Sequence, residues 1–348
     1  AVKGAVVLSP LSGFMVTEHG HEDFKLNFGI QGMLSRVPPG FSAEFVLSPH
    51  VASGEPSYEH AGTVAAAFMR WGSALLHAHG GVRTPPDASR WISELGYSTT
   101  GVYHYNPCDC PGNRNQTACP TANNSLMPSC HTYEDTLLQV QDDAERVGLP
   151  YRWWLIDSWW HAMSGEECWE GTVEQVGALF PHGLRWLYNR SKGMSFGAHW
   201  SSSFGKTSPY LNVTDPSDWS CNTSCIPRSA RVWEHIFASA ESWGLQTIKV
   251  DHLYGSLESN DACFSDPFLA EDFLGGIADG AKAHNVDVMW CMSYPNVLMQ
   301  SVKHPAATHA RASADSHPSG SNYVGFAGES TWIWSLGLWP FKDTFYSN

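Results

Sequence analysis

The spacing of hydrophobic residues divides the chain into two parts, with the change near residue 90. Before residue 82, short runs of strand-forming residues alternate with Gly, Pro and Ser, and Pro38-Pro39-Gly40 marks a turn. Strands are predicted over Ala5–Leu8, Phe24–Phe28 and Phe41–Leu47. Val64 to Leu76 then places apolar residues at helical spacing. We therefore predict that residues 1–82 form the C-terminal part of an N-terminal β-sandwich domain, followed by a linker helix.

After residue 90, apolar strand candidates alternate with amphipathic helix candidates. Strands are predicted at Gly101–Tyr105, Trp153–Ile156, Met194–Trp200, Gly244–Asp251, Val286–Cys291 and Ala307–Ser313. Helices are predicted at Tyr133–Val147, Leu184–Arg190, Ser229–Trp243, Ser265–His284 and Glu329–Leu336. This α/β alternation indicates a parallel sheet, and polar residues where the strands end favour a TIM (β/α)8-type barrel over residues 83–348. Six strands are thus assigned bounds and we count about seven in all, so the barrel is expected to lack its last strand in this chain.

Two of these strands carry charged residues on one face. Lys249 and Asp251 lie two residues apart, so their side chains project to the same side of a strand whose other residues are apolar. Arg311, Ser313 and Asp315 share one face in the same way at the end of the sixth strand candidate. Burying such charges is costly unless each meets a partner. Two aspartates, each with a cation on its own strand, suit acid/base chemistry on a sugar.

Composition excludes several classes of partner. The formal charge of −14 argues against a nucleic-acid partner. No apolar run approaches the roughly 18 residues of a membrane span. The 16 tryptophans suit either sugar rings or an ordinary core. The Cys108-x-Cys110 pair and the His-x-His pairs at 19–21 and 77–79 lack further ligands nearby, so we predict no metal site.

Sequons and cysteines predict the secretory pathway. Five N-x-Ser/Thr sequons occur, at Asn115, Asn123, Asn189, Asn212 and Asn222. Eight of the nine cysteines are candidates for disulfides of open connectivity: Cys108, Cys110, Cys119, Cys130, Cys168, Cys221, Cys225 and Cys263. Cys291 ends an apolar strand and is expected to be a free thiol. We predict a secreted or secretory-lumen protein, and the opening Ala1-Val-Lys3 is compatible with a cleaved precursor.

Several motifs, in the same order, resemble a known family. Cys291-Met-Ser-Tyr294, Arg311-Ala-Ser-Ala-Asp315-Ser-His-Pro318 and Trp339-Pro-Phe-Lys-Asp-Thr-Phe-Tyr-Ser347 resemble the series C-M-S-H, R-x-S-x-D-F-x-P and P-D-W-D-M-F-x-S. Gly244–Asp251 resembles G-x-x-x-x-K-V-D, and Leu155-Ile-Asp-Ser-Trp159 resembles I-D-D-G-W. These are motifs of glycoside hydrolase family 36 in the α-galactosidase clan, in its raffinose-synthase and alkaline α-galactosidase branch. The similarity covers most of the chain.

The resemblance implies roles for particular residues. Asp251 would be the nucleophile of a retaining mechanism, and Asp315 would be the general acid and then the base. Lys249, Arg311 and Asp157 would bind sugar hydroxyls. Four more residues at strand ends would either line the pocket or pack, namely Trp159, His199, Trp200 and Tyr294. The resemblance implies a carbohydrate substrate and no metal or organic cofactor.

Departures from the motifs keep a second hypothesis open. Ser158 stands where the family commonly has a second aspartate, so galactose specificity is in doubt. Tyr294 replaces the histidine of C-M-S-H, which changes the rim of the pocket. Hydrolysis and glycosyl transfer are both expected within the branch. The alternative is a catalytically inactive structural or glycan-binding component of an extracellular coat, part of a larger assembly, in which Asp251 and Asp315 are structural salt-bridge partners.

Overall fold

The structure is a computed structural model of the chain, and it describes residues 4–22, 25–51, 63–99, 133–157, 180, 182–201, 203–313 and 323–342. The predicted strand at Gly101–Tyr105 lies outside these residues. So do Asp315, Trp159, Asn115, Asn123 and five of the cysteines: Cys108, Cys110, Cys119, Cys130 and Cys168.

The N-terminal part is built from antiparallel pairs of strands. Its strands are β1 (Gly4–Pro10), β2 (Thr17–Glu22), β3 (Lys25–Ile30) and β4 (Phe45–Val51). β1 pairs with β4 and β2 pairs with β3, which makes two separate two-stranded sheets. Helix α1 (Thr63–His79) follows, as its apolar spacing predicted. A complete sandwich is not described, so that part of the fold stays a prediction.

Seven parallel strands form the main sheet and curl into an open barrel. They are β5 (Gly96–Ser98), β6 (Trp153–Ile156), β7 (Ser195–Ser201), β10 (Leu245–Asp251), β11 (Asp287–Trp290), β12 (Ala307–Arg311) and β13 (Trp339–Phe341). Their spatial order follows the chain from β5 to β13. The only interruption is a small hairpin of β8 (Trp219–Cys221) and β9 (Cys225–Pro227), which belongs to another sheet of the described residues. The count of seven strands and the TIM-like arrangement agree with the prediction.

The described helices lie mainly in the connections between strands. They are α2 (Arg90–Ser93), α3 (Tyr133–Val147), α4 (Leu184–Arg190), α5 (Ala230–Glu241), α6 (Leu253–Glu258), α7 (Ala262–Ser265), α8 (Leu269–Ala283), α9 (Pro295–Gln300) and α10 (Tyr323–Ser335). Side-chain capping determines where two of the predicted helices begin. The Ser229 hydroxyl accepts a hydrogen bond from the first turn of α5, and Asp266 accepts two from the start of α8.

Alternation along each strand separates an outer layer from the barrel interior. On β7, Trp200 faces outward and is fully buried, with its ring 5.5 Å from that of Trp233 on α5. Inside the barrel, Trp91 of α2 stacks on Trp153 of β6 with ring centroids 4.0 Å apart. Gly197 makes room for it, because a Cβ there would lie 2.1 Å from the Trp91 ring. The tryptophan therefore fills the lumen beneath the carboxyl ends of the strands.

The cysteines differ in part from the prediction. Cys221 and Cys225 form a disulfide across the β8–β9 hairpin. Cys263, expected in a disulfide, is instead a free thiol buried in α7. Burial raises the pKa of the Cys263 thiol to about 12, so it stays protonated in the folded protein. Cys291 is buried and forms no disulfide, as predicted.

Candidate active site

Lys249 connects the carboxylates of two different strands inside the barrel mouth. Its ammonium nitrogen lies 3.3 Å from Oδ2 of Asp251 on its own strand, β10. The same nitrogen lies 3.2 Å from Oδ2 of Asp157, which follows β6. Lys249 is only 2% exposed, and both aspartates are buried. The expensive burial of these charges is thus compensated by direct pairing, as the alternation of β10 required.

Asp251 receives further hydrogen bonds from the strands on both sides. Nε2 of His199, on β7, lies 3.3 Å from Oδ2 of Asp251. The backbone N–H of His252 donates to Oδ1 at 2.7 Å, and the Cys291 thiol also hydrogen-bonds the carboxylate. Burial alone would raise the pKa of Asp251. The hydrogen bond from His199 and the charge of Lys249 outweigh burial and hold this pKa well below its usual range. Asp251 is therefore an ionised carboxylate in a mostly dry site.

The backbone is unusual where three neighbouring strands end at this mouth. His252 follows β10 with φ of 54°, Met292 follows β11 with φ of 50°, and Ser313 follows β12 with φ of 61°. A left-handed conformation is uncommon for residues other than glycine, and such residues cluster at functional sites. The three strained positions coincide with the edge that carries Asp251, which is the edge where TIM barrels place their active sites.

Of the other predicted site residues that are described, Arg311 and Tyr294 also lie at this edge of the barrel, whereas Trp200 does not. Arg311 is the last residue of β12, at the same edge as Asp251. Tyr294 caps α9 directly after β11, and its hydroxyl donates to Glu258. Trp200 does not join this group, because it is adjacent to His199 on β7 and therefore faces the helices. The relation of Asp315 and Trp159 to the site lies outside the described residues.

Two contributors to the site were not singled out from the sequence. The first is Cys291, which was assigned only as a free thiol and not as a partner of Asp251. The second is the pair Tyr254 and Glu258, one helical turn apart on α6 and both exposed. Their i, i+4 spacing next to Asp251 was a signal that could have identified them.

One trio among the described residues could also reach a metal ion. Ligand atoms of His199, Asp251 and His252 all lie within 4.8 Å of one another. The Lys249 ammonium lies 3.3 Å from Oδ2 of Asp251, so a cation there would meet a positive charge. The prediction that no metal is needed stays a prediction.

One cavity lies at the opposite end of the barrel. A cavity of about 790 Å³ opens beside the starts of β6 and β7, lined among others by Glu145, Arg152 and Lys192. This is the N-terminal face of the sheet, which in TIM barrels serves stability rather than chemistry. The cavity therefore takes no part in the candidate site.

Three of the predicted glycosylation sites are described. Asn189 on α4, Asn212, and Asn222 in the β8–β9 hairpin are all exposed. Among the described residues, no helix combines the length and the hydropathy needed to cross a membrane. Exposure is a requirement for modification of these asparagines, and whether they carry glycans remains a prediction.

The fold and the site together define a class: an open (β/α) barrel with a lysine-paired carboxylate at the carboxyl ends of its strands. Solved structures with this fold include an α-galactosidase from Thermus thermophilus in complex with stachyose. It has 14% sequence identity to this chain and a TM-score of 0.52, and the match covers 99% of this chain and 67% of the other. At this identity the similarity establishes the fold alone.

Two further matches are weaker. A GH27 β-L-arabinopyranosidase from Geobacillus stearothermophilus has 12% identity and a TM-score of 0.49, covering 74% of this chain and 63% of its own. An α-N-acetylgalactosaminidase from Bifidobacterium bifidum has 11% identity and a TM-score of 0.43, covering 78% of this chain and 44% of its own. No protein-family model matches the chain. No curated protein matches it either.

Proposed function

We propose that this protein is a retaining α-glycosidase or transglycosidase of the α-galactosidase type, acting on extracellular glycans or oligosaccharides. The observation that carries the proposal is the ionised Asp251, held by Lys249 and His199 at the mouth of the barrel. A nucleophilic carboxylate has to be unprotonated and positioned, and this arrangement provides both. The fold similarity to an α-galactosidase supports the same reading.

The proposed reaction has two steps on Asp251. In the first, a carboxylate oxygen of Asp251 attacks the anomeric carbon, the glycosidic C–O bond breaks, and Asp315 donates a proton to the leaving oxygen. In the second, Asp315 takes a proton from water or an acceptor hydroxyl, whose oxygen attacks the same carbon and releases Asp251. Lys249 donates a hydrogen bond to Asp157 inside the lumen, so a donor and an acceptor for sugar hydroxyls lie side by side there.

The finer assignments are part of the proposal. We assign the chain to the raffinose-synthase and alkaline α-galactosidase branch on its motifs, with a β-sandwich domain over residues 1–82 and the barrel over 83–348. Secretion is supported by the Cys221–Cys225 disulfide and by the exposure of the described sequon asparagines. Since Ser158 departs from the family pattern, the sugar configuration has to be determined by experiment.

A mechanism-based label tests the proposed function directly. Fluorinated glycosyl fluorides of galacto, gluco and xylo configuration should trap the glycosyl-enzyme, and intact mass and peptide mapping should find one label per chain, on Asp251. Asp251→Asn should take no label. Asp287→Asn is the matched control, because Asp287 is another barrel aspartate, at the start of β11 and away from the mouth.

The same experiment separates the two functions considered. Labelling of the wild type and of Asp287→Asn, but not of Asp251→Asn, supports the enzyme. A folded wild type that takes no label from any of the three probes contradicts the enzyme and favours the glycan-binding or structural component of a larger extracellular assembly.

A further inference from the structure

A group of polar and aromatic side chains, two exposed and one half-buried, lies beside the mouth, between the ends of β10 and β11. Tyr254 and Glu258 lie one turn apart on α6, the helix that begins two residues after Asp251. Tyr294 faces them from the start of α9. Tyr254 is 38% exposed, which is high for a tyrosine next to a buried charged site. None of the three is used in the proposed two-step reaction.

Contacts within the group hold it in a defined shape. The rings of Tyr254 and Tyr294 are 6.4 Å apart and nearly perpendicular, at 68°. The Tyr294 hydroxyl donates a hydrogen bond to Oε1 of Glu258. The backbone N–H of Tyr254 donates to the carbonyl of Met292 at 3.1 Å, which ties α6 to the strained residue after β11. The helix and the loop are thereby fixed to each other at the rim.

The electrostatics keep the phenol of Tyr294 protonated. The hydrogen bond to Glu258 raises the pKa of Tyr294 to about 12, so this phenol stays protonated and remains a donor. Glu258 is exposed, so its carboxylate is accessible to hydroxyl groups from solvent or from a ligand. The surface thus combines an accessible aromatic ring with a carboxylate acceptor a few ångströms away.

This combination matches the chemistry of a pyranose. The C–H face of a sugar packs on an aromatic ring, while its equatorial hydroxyls donate to carboxylates. We propose that Tyr254, Tyr294 and Glu258 form a subsite for the sugar unit adjacent to the one bound at Asp251. The inference rests on the proposed function for the identity of the first sugar. It adds that the natural ligand has at least two pyranose units.

Binding to an inactive variant provides the primary test. In Asp251→Asn, calorimetric titration compares a monosaccharide with an α-linked disaccharide of the same non-reducing sugar. We expect the disaccharide to bind roughly 3- to 10-fold more tightly, from one aromatic contact and one charged hydrogen bond. Adding Tyr254→Ala should remove this preference, whereas Tyr254→Phe should keep most of it. Glu258→Gln should reduce it by severalfold.

A matched control guards against general effects of losing an exposed aromatic residue. Trp186 on α4 is 37% exposed, close to the value for Tyr254, and its ring stacks on His182 rather than on a member of the group. Trp186→Ala in the same background should leave the disaccharide preference unchanged. Equal affinity of Asp251→Asn for the two sugars, no binding of either, or a preference that survives Tyr254→Ala would each overturn the subsite.

Turnover then distinguishes failure of the subsite from failure of the proposed function. In the otherwise wild-type protein, Tyr254→Ala should lower kcat/KM for the disaccharide about 10-fold at most, and should lower kcat/KM for a glycosyl fluoride, whose leaving group is too small to reach the subsite, by much less. If both values fall equally, the subsite is wrong although the enzyme stands. If Asp251 takes no covalent label but the disaccharide preference persists, the subsite stands and the proposed catalysis fails.

Discussion

The ammonium nitrogen of Lys249 lies 3.3 Å from Asp251, on the same strand and the same face, and both side chains are buried. The same nitrogen reaches Asp157 across the barrel, so one cation serves two carboxylates. Together with the hydrogen bond from His199, the charge of Lys249 keeps Asp251 ionised. This sharing also allows the electrostatic argument to be tested without knowledge of the substrate.

Replacing Lys249 with methionine should destabilise the protein and shift its pH dependence. Two carboxylates would remain buried without their cation, at a cost of about 3–5 kcal/mol. The pKa of Asp251 would rise, so the acidic limb of kcat/KM would move to higher pH. Chemical unfolding as a function of pH checks this, because the variant should recover part of its stability as pH falls and the carboxylates become protonated.

Lys192→Met is the control for this change. Lys192 pairs with Glu145 at 3.2 Å, but both side chains are largely exposed. Such surface pairs contribute about 0–1 kcal/mol. If Lys249→Met and Lys192→Met lower the free energy of unfolding equally, the buried pairing at the mouth does not contribute more to stability than a surface pair.

His199 should position Asp251 through its Nε2 atom. His199→Phe removes the hydrogen bond to Oδ2 and should slow covalent labelling of Asp251 roughly 10- to 100-fold, the equivalent of one hydrogen bond to a charged group. His199→Gln can place an amide N–H near the same position and should recover part of the rate. The readout is the labelling rate, with circular dichroism to confirm folding.

His252 provides the matching control for the histidine prediction. Its contact with Asp251 is through the backbone N–H, at 2.7 Å, rather than through the ring. His252→Asn keeps that donor, and asparagine tolerates the left-handed conformation found there. Labelling should therefore change by less than about threefold, a loss well below that of a charged hydrogen bond. A larger loss would mean that the imidazole ring itself acts in the site.

Asp287 should make the barrel less stable as pH rises. Burial raises the pKa of Asp287 to about 6 from 3.8, although a hydrogen bond from Ser89 opposes this. The folded state therefore binds more protons than the unfolded state, and this contribution is complete below about pH 4 and lost as pH rises through about 6. Asp287→Asn should be the more stable protein at pH 7, by about 1–2 kcal/mol after allowance for partial exposure.

The measurement is the difference in unfolding free energy between wild type and Asp287→Asn from pH 4 to 8. As the pH rises from 4 to 8, the free energy of unfolding of Asp287→Asn should increasingly exceed that of the wild type. The exposed Asp143, which pairs with Arg146 on α3, supplies the control Asp143→Asn. A flat difference for Asp287→Asn would contradict the raised pKa.

Gly197 should tolerate no larger side chain while Trp91 fills the lumen. A Cβ at position 197 would lie 2.1 Å from the Trp91 ring, so Gly197→Ala should cost about 1–3 kcal/mol or more through overpacking. Trp91→Leu frees space, and the double variant should be more stable than the sum of the single changes predicts. Urea denaturation of the wild type, Gly197→Ala, Trp91→Leu and the double variant gives the coupling energy between the two residues. Strict additivity would contradict the proposed contact between them.

Much of the site could be predicted because strands alternate. The two-residue spacing of Lys249 and Asp251 placed both on one face, and their burial made a partner necessary; that partner is Asp157, 92 positions earlier in the chain. The same rule could have excluded Trp200, since adjacent residues of one strand cannot both face the lumen. Local spacing therefore predicts which face of a strand each side chain occupies. The identity of a partner far away in the chain, such as Asp157, becomes known only from the folded sheet.

Other elements carried too little local signal. β5 and β13 have three residues each, too few for a period of two to be recognised, and β5 begins before the strand predicted at 101–105. Cys263 was assigned to a disulfide from the number of cysteines, but burial in α7 depends on packing that a count does not contain. Tertiary contacts decided each of these cases.

Trp91 has one more implication, which concerns the shape of what can bind. The indole and the neighbouring His309, with ring centroids 6.5 Å apart, lie across the interior below the charged layer. A polysaccharide cannot thread through a tube that is blocked at mid-height. The described interior is therefore closed below Asp251, so under the proposed function a sugar would reach and leave Asp251 through the mouth at the carboxyl ends of the strands.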